Sequence, residues 1–339
     1  MYLEVLSMFE KKLNYATNIK ELIIKYSDRK NAELFFYQLK WPNGFVCSKC
    51  GCNKADYIDK RHVYQCRECK HQESVTAKTA LNSTKLPLLD WILVMFVFVV
   101  SKTGISAQCI SDITGVSYKS VKLMLRKIKA AQKENNDKYP VLNCDAIEMD
   151  TFLFGGKKAG KRGLGAEGKA CVAIAAIKDN VEYTDKTTGE NVVGEKLKAV
   201  KFKIIPSENK VSITDFINES IPSDCLISCD ASRTNKSLKL EGKLMDIQAF
   251  EKGNNHLTSA DHMISNLKKK IDGMMHGIEL QYLENELADF EWKIARRKRN
   301  GKQLLESLGR TLVHGAHKTR KGLIQHFKQV EEDMALMYA

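Results

Sequence analysis

Four cysteines in the first quarter of the chain have the spacing of a metal site. Cys47 and Cys50 form one CxxC pair, Cys66 and Cys69 form another, and 15 residues separate the pairs. A CxxC turn on each of two hairpins brings four thiolates to one tetrahedral point, where zinc prefers such soft ligands. A redox-active CxxC and unrelated buried cysteines are the alternatives, and the paired spacing favours zinc over both. Cys52 breaks the pairing and is interpreted as a spare thiol.

Three aspartates occupy positions where a carboxylate would be held rigidly. Asp150 lies within the apolar run EMDTFLF, Asp230 ends the run LISCD, and Asp261 lies at the start of an amphipathic segment. A buried charge is costly unless it is paired or bound to a metal. Each aspartate also has a simpler explanation, because the first two could be strand-end or turn residues and Asp261 could close a capping box with Thr258. Together the three predict an oxygen cage for two divalent metal ions.

One lysine lies at helical spacing from the third aspartate. Lys268 follows Asp261 by seven residues, which places both on nearly the same helix face because seven steps of 100° fall about 20° short of two turns. The lysine belongs to a run of three, so a solvated helix face is the alternative. The sequence predicts that this lysine and the three aspartates share one site.

The elements that must position these acids follow from hydrophobic periodicity. The segments AIEMDTFLFGG, KACVAIAAIK and KLKAVKFKIIPS predict three neighbouring strands, with a polar excursion over 185–195 between the last two. A helix at NKVSITDFINESIP, a strand at CLISCDAS, a weaker strand at MDIQAF and a helix at TSADHMISNLKKKID follow. This order is compatible with a ribonuclease H-like fold, in which helices flank a mixed sheet.

The segment between the cysteines and the strands is helical in pattern. The apolar stretch 86–100 predicts a buried helix, since it is shorter than the roughly 20 residues that cross a bilayer and contains an aspartate. The following GISAQCISDITGVSYKSVKLMLRKIKAAQ predicts a helix-turn-helix with its turn at 115–117. Its second helix carries a series of basic residues: Lys119, Lys122, Arg126, Lys127 and Lys129. DNA contact is favoured for this face, and a helical hairpin with a solvated basic face is the alternative.

Composition narrows the class of partner and the compartment. Lysine and arginine number 54 against 41 acidic residues, which gives a net charge of +13 and favours a polyanion such as nucleic acid or a membrane surface. No segment predicts a membrane span, and the amino terminus lacks the pattern of a signal peptide. The chain is therefore expected in the cytoplasm, where its ten cysteines stay reduced and free to bind metal.

Several of these motifs together resemble a known family. WPNGFVCSKCG resembles the segment that leads into the first CxxC of bacterial insertion-sequence transposases with a zinc ribbon and a DDE-type catalytic domain, of the ISXO-two-like group. IEMDTFLFGGK, ISCDASRTNKSL and HLTSADHMISNLKKKIDGMMHGI resemble the three catalytic motifs of that group, and YLENELADFEWKIARRK resembles the segment that closes its domain. The resemblance implies that Asp150, Asp230 and Asp261 are catalytic acids and that Lys268 contacts phosphate near the scissile bond.

The resemblance also implies partners and cofactors. A DDE transposase cleaves DNA at transposon ends and joins the released 3′-hydroxyl to target DNA, so the expected cofactors are structural zinc and two Mg²⁺ or Mn²⁺ ions. The expected partners are transposon ends, target DNA and further copies of the chain on DNA, with nucleoid association when bound. The basic loop GGKKAGKRGLGAEGK lacks a GxxxxGK[ST] pattern and suits an arm that closes over DNA. Its candidate DNA-binding residues are Lys157, Lys158, Lys161 and Arg162.

The predicted organisation has five parts. Residues 1–40 form N-terminal helices, 41–80 the zinc ribbon, 81–135 the helix-turn-helix-like region, 141–300 the ribonuclease H-like α/β catalytic domain and 301–339 a C-terminal helical tail.

The sequence also departs from the family pattern. Thr151 replaces the glutamate that often follows the first aspartate, and Asp261 is one methylene shorter than glutamate. His256 and His276 flank the predicted helix of the third motif and receive no role. A DNA-binding regulator without catalysis, or a ribonuclease H-like nuclease, is the alternative function.

Overall fold

The chain forms two compact units in the computed structural model, which describes residues 18–138, 146–155, 169–184, 189–249, 256–275 and 278–337. The first unit comprises Met1–Ile128 and Lys298–Lys318, and the second comprises Lys129–Arg297 and Thr319–Ala339. The last two helices therefore belong to different units. The five-part division drawn from the sequence stays a prediction.

Two capped helices open the described part of the first unit. Helix α1 spans Ile19–Tyr26 and helix α2 spans Arg29–Lys40, and the side chains of Asn18 and Asp28 accept backbone N–H groups at their starts. The ribbon follows as three antiparallel strands, β1 (Ala55–Ile58), β2 (Val63–Cys66) and β3 (Gln72–Glu73). These strands lie between the two CxxC pairs and directly after the second pair.

Helix α3 (Leu88–Val100) is the buried helix predicted from its composition. Every residue from Trp91 to Val99 is buried, which explains why the helix is apolar on all sides. Within the described ranges, no helix combines the length and hydropathy needed to cross a membrane.

The predicted helix-turn-helix is confirmed as two helices around a glycine turn. Helix α4 (Ala107–Thr114) ends at Gly115, whose φ of 72° is the left-handed conformation that glycine adopts without strain. Helix α5 (Tyr118–Lys138) follows. The five basic residues of this helix do not all lie on one solvated face. Lys127 is buried and donates to the Ala80 carbonyl at 3.1 Å, and Lys129 is paired with the buried Glu286.

The second unit is built on a mixed five-stranded sheet. Its strands are β4 (Ala146–Phe154), β5 (Ala170–Thr184), β6 (Asn191–Ile205), β7 (Leu226–Asp230) and β8 (Met245–Gln248), in the spatial order β6-β5-β4-β7-β8. Strands β4, β5 and β6 are antiparallel neighbours, whereas β7 and β8 run parallel to β4. This topology confirms the predicted ribonuclease H-like fold.

Helices cover both faces of this sheet. Helix α6 (Lys210–Ser220) packs through Ile213 and Phe216 on one face, together with Ile147 and Met149 of β4. Helices α8 (Thr258–Met275) and α9 (Leu280–Ala295) pack on the opposite face. In the C-terminal segment, α10 (Gly301–His314) belongs to the first unit and α11 (Arg320–Met337) to the second.

Two local predictions about the second unit are wrong. A short helix, α7 (Arg233–Leu240), lies between β7 and β8, where the sequence indicated none. It is eight residues long and buries only Asn235 and Leu238, so its periodic signal is weak. Strand β6 also starts within the predicted polar excursion, because residues from Asn191 onward pair with the end of β5. Cross-strand pairing thus extends the hairpin through polar residues.

A buried network of opposite charges joins helices of the second unit. Lys270 of α8 donates to Asp289 of α9 at 2.6 Å, and Lys293 lies 3.6 Å from the same carboxylate. Lys129 of α5 pairs with Glu286. Burial acts to raise the pKa of Asp289, but the charges of the three lysines outweigh it and hold that pKa well below its usual range. The carboxylate is therefore the ionic centre of the network.

Replacing Asp289 with alanine should reduce the free energy of unfolding by about 3–5 kcal/mol, because two lysines would remain buried without their shared counterion. Urea unfolding at neutral pH measures the loss. The matched control is Glu241→Ala, which removes an exposed ion pair with Lys210 and should cost less than about 1 kcal/mol. Equal losses in the two variants would contradict the structural role of the network.

Candidate active site

The four ribbon cysteines converge on one point. Cys47 Sγ lies 3.5 Å from Cys69 Sγ, Cys50 Sγ lies 3.5 Å from Cys66 Sγ, and all four sulfur atoms lie within 4.8 Å of one another. Zinc–sulfur bonds of about 2.3 Å in a tetrahedron require sulfur separations of about 3.8 Å. Cys52 lies outside this group of four, and its sulfur is 3.3 Å from the backbone nitrogen of Lys54. The cluster fits a structural zinc ion.

Two turns of the same kind bring the thiols together. The N–H of Gly51 donates to the Cys47 carbonyl at 2.9 Å, and the N–H of Lys70 donates to the Cys66 carbonyl at 3.1 Å. Both residues have a left-handed backbone, with φ of 77° and 57°. The ribbon is therefore two equivalent CxxC turns, one with glycine and one with lysine in the left-handed position.

Strand register places the first two aspartates side by side. In the parallel pair of β4 and β7, Met149 lies opposite Cys229, and the next step along both strands sets Asp150 beside Asp230. Met149 and Cys229 face the core under α6, so the aspartates point to the opposite face because side chains alternate along a strand.

The third aspartate lies on the helix that covers that face. Asp261 is in the first turn of α8, and its backbone N–H donates to the Leu257 carbonyl at 3.0 Å. The predicted alternative of a capping box from Thr258 is therefore wrong, because the helix already includes Thr258. Ala260 and Ile264 anchor the helix in a core that also contains Phe152 of β4.

Electrostatics links the three aspartates. Burial is the largest cause that raises the pKa of Asp150 to about 6; the Thr151 N–H opposes the rise, and the negative charges of Asp230, Asp261 and Glu208 add to it. Charges that affect the same carboxyl group lie near it. The proximity of these charges agrees with the shared site expected from the sequence, which stays a prediction. Their exact coordination stays a prediction, since in the described residues only the four thiols gather within 4.8 Å.

Two family matches cover the regions that contain the four cysteines and the three aspartates. Residues 144–295 match the ISXO2-like transposase domain, and residues 27–72 match the transposase zinc-ribbon domain. The chain belongs to the ISXO2-like transposases. The first match contains the three aspartates and Lys268, and the second contains the four cysteines. Among curated proteins none matches the transposase.

The donor set of the transposase suits hard divalent cations. Asp150, Asp230 and Asp261 offer only carboxylate oxygens, which Mg²⁺ and Mn²⁺ prefer. The raised pKa of Asp150 reflects burial and repulsion among these carboxylates, and a bound cation relieves such repulsion. The residues present therefore fit a catalytic metal site.

The lysine run separates into three environments. Lys268 Nζ lies 5.2 Å from the ring centre of Phe152, two residues beyond Asp150 on the same face of β4. Lys269 is exposed, whereas Lys270 is buried against Asp289. The alternative of a uniformly solvated run is therefore wrong, and Lys268 lies along the face that carries the first aspartate.

One acid near the site was missed by the sequence interpretation. Glu208, in the loop between β6 and α6, accepts a hydrogen bond from Thr151 Oγ1 at 3.0 Å. Its backbone carbonyl accepts from Thr234 of α7 at 3.3 Å. An acid directly after a strand in IIPSENK was the available signal, but nothing in the sequence linked that strand end to Asp150.

The predicted DNA-binding residues belong to two separate regions. Lys119 and Lys122 are exposed at the start of α5, and Arg126 is half-buried one turn later. Lys157, Lys158, Lys161 and Arg162 of the basic loop lie outside the described residues, as does His276. Contact of either region with DNA stays a prediction.

Replacing Asp150 with asparagine should stabilise the zinc-loaded, Mg²⁺-free transposase at neutral pH by about 2 kcal/mol. The pKa of this carboxyl rises from 3.8 to about 6 on folding, so its contribution to stability is fully present below about pH 4 and is lost as the pH rises through 6. Urea unfolding across pH 4–8 measures the difference between wild type and variant. A difference independent of pH would contradict the raised pKa.

Proposed function

We propose that this transposase binds the ends of its element and catalyses metal-dependent strand cleavage and strand transfer by in-line phosphoryl displacement. The observation that carries the proposal is the placement of Asp150 beside Asp230 on adjacent strands of a ribonuclease H-like sheet, where the charges of Asp230 and Asp261 help to raise the pKa of Asp150. Burial of Asp150 beside further negative charges costs stability in the metal-free protein, whereas a site for two metal ions requires such charges.

The three aspartates would hold two Mg²⁺ or Mn²⁺ ions. Bound there, the ions would activate the attacking oxygen and stabilise the leaving oxygen. Asp150 and Asp230 lie on adjacent strands of fixed register, so they form the rigid side of the site. Asp261 completes it from the first turn of α8. A rigid frame matters because displacement at phosphorus depends on the alignment of the reacting groups.

Lys268 would contact a phosphate of the bound DNA. It lies on α8 seven residues after Asp261, and its amine is 5.2 Å from the ring centre of Phe152. A cation at this distance is held by the ring face, which directs it along the surface that carries Asp150. The lysine then orients the DNA backbone next to the carboxylates without binding metal itself.

The ribbon and the helix-turn-helix would recognise the element's ends. Helix α5 presents Lys119 and Lys122 at its start. The ring centre of the exposed Tyr118 lies 5.5 Å from the Lys122 amine. The start of the second helix is the part of a helix-turn-helix that enters the major groove. Because cleavage and joining act on two ends of an element, the active form on DNA is a homo-oligomer.

Replacing Lys119 and Lys122 with alanine should weaken binding to all DNA sequences and reduce its dependence on salt. Each lost phosphate contact lowers the slope of log K against log salt by about 0.9, so the double variant should lose about 1.8. Fluorescence anisotropy at several salt concentrations measures the slope. Lys138→Ala, at the exposed far end of the same helix, should leave the slope unchanged, and an unchanged slope in the double variant would contradict the proposed contact.

The whole proposal is tested with purified protein, Mg²⁺ or Mn²⁺, and DNA that carries the element's own ends. Cleavage at the ends followed by joining to target DNA supports it. Binding without cleavage would instead identify a DNA-binding regulator, and cleavage of RNA–DNA hybrids without joining would identify a nuclease.

A further inference from the structure

We propose that Glu148 and His256 are positioning residues that hold Asp261 in register with Asp150 and Asp230. The inference rests on the proposed metal-dependent function and adds to it. The first two aspartates are fixed by strand pairing, but the third lies on a helix that packs on the sheet through apolar side chains. Apolar contacts are not directional, so a second kind of contact must set the height and rotation of that helix.

Glu148 supplies a directional contact from the first strand. It lies two residues before Asp150 on the same face of β4 and is only 1% exposed. Its Oε2 accepts the backbone N–H of Ala260 at 2.9 Å, and its Oε1 accepts from Lys178 of β5 at 2.8 Å. Ala260 immediately precedes Asp261, so the carboxylate caps the turn of α8 that carries the third acid.

This cap links residues that are far apart in the chain. The N–H groups in the first turn of a helix have no partner within the helix, and a nearby side chain usually satisfies one of them. Here the acceptor comes from the catalytic strand itself, 112 residues earlier. A shift of α8 along the sheet would break this hydrogen bond and leave the Ala260 N–H and Oε2 of the buried Glu148 without each other as partners.

His256 supplies the matching contact from the second strand. Its Nε2 lies 3.2 Å from the backbone carbonyl of Cys229. A carbonyl only accepts, so Nε2 carries the hydrogen and donates. Cys229 immediately precedes Asp230, and His256 is two residues before α8. The start of α8 is thus tied to both strands within two residues of their aspartates.

The two contacts together determine where Asp261 meets the other carboxylates. A metal site needs its ligands held within about 0.5 Å, and loss of a supporting contact typically costs 10–100-fold in metal affinity. We therefore expect Glu148→Ala or His256→Ala to weaken Mn²⁺ binding by about 10–100-fold in the zinc-loaded full-length protein. Isothermal titration calorimetry and the Mn²⁺ electron paramagnetic resonance signal measure binding without any activity assay.

Rescue variants separate positioning from general stability. His256→Gln keeps a donor near the position of Nε2, and Glu148→Gln combined with Lys178→Met keeps an acceptor for Ala260 while removing both charges. Both should bind Mn²⁺ within about threefold of wild type. The matched control is Leu283→Ala, which opens the same core from α9 and should destabilise the fold without changing Mn²⁺ affinity.

Each outcome decides the inference. If wild type binds Mn²⁺ and both alanine variants bind it equally well, the positioning role is overturned while the proposed function stands. If Leu283→Ala weakens binding as much as they do, or the rescue variants stay as weak as the alanine variants, the role is also overturned. If wild type does not bind Mn²⁺, the proposed function fails and the inference fails with it. If Glu148→Ala does not fold, the half-buried His256 and its two variants give the same test.

Discussion

Asparagine in place of Asp230 should reduce strand cleavage and strand transfer by about 10⁴-fold while binding of the element's ends stays unchanged. The substitution removes one negative charge at the edge where two strands bring Asp150 and Asp230 together. Metal ions that activate water and stabilise the leaving oxygen need these charges, so the loss falls on the chemical step. Cleavage of supercoiled DNA that carries both ends, with Mg²⁺ in excess, measures the rate.

The local structure makes this substitution conservative for the fold. Asn235 Nδ2 donates to Asp230 Oδ1 at 2.7 Å and to the Asp230 backbone carbonyl at 3.2 Å. An asparagine at position 230 keeps an oxygen in the place of Oδ1, so both hydrogen bonds can persist. The expected melting temperature is therefore close to that of wild type, and lost activity would reflect lost charge rather than unfolding.

A matched aspartate tests the specificity of the effect. Asp215 is exposed on α6, which covers the opposite face of the sheet. Asp215→Asn should retain wild-type cleavage and joining. Equal activity in wild type and Asp230→Asn would contradict the catalytic assignment and would favour a regulator that binds DNA without cutting it.

The strands that carry the acids were predictable because their sequences report burial directly. Runs such as EMDTFLF and LISCD are too apolar for anything but a covered sheet, and the polar residue within each run marks a candidate site. The parallel register that sets Asp150 beside Asp230 was not in the pattern, because pairing between strands depends on the whole sheet. The family resemblance supplied that link at the sequence level.

Contacts between distant segments were beyond local patterns. Lys127 and Lys129 have the periodicity of a solvated basic face, yet Lys127 is buried with its amine on the Ala80 carbonyl and Lys129 is paired with Glu286. The start of α8 looked like a Thr258 capping box, but its cap comes from Glu148. In each case the contact is made by a group that is remote in sequence. The residues around the lysine or the helix start therefore do not indicate it.

Replacing Cys66 with serine should remove zinc from the ribbon and with it the fold of β1, β2 and β3. Cys66 is fully buried, and its sulfur is 3.5 Å from that of Cys50. Three strands of two to four residues have little core of their own, so metal binding supplies much of the folding energy of such a module. We expect bound zinc to fall from about one equivalent to nearly none and end binding to be lost.

The neighbouring Cys52 provides the control that isolates metal binding from thiol chemistry. It lies two residues after Cys50, but it is not one of the four cysteines whose sulfurs gather together, and its sulfur contacts the backbone N–H of Lys54. Cys52→Ser should therefore retain zinc and end binding. Zinc release measured with a chromogenic chelator, alongside amide spectra of the ribbon, distinguishes the two variants. The second unit has its own two cores, so Cys66→Ser should keep the Mn²⁺ binding of wild type. Loss of zinc in both variants, or retention in both, would contradict the assignment of four cysteines to the site.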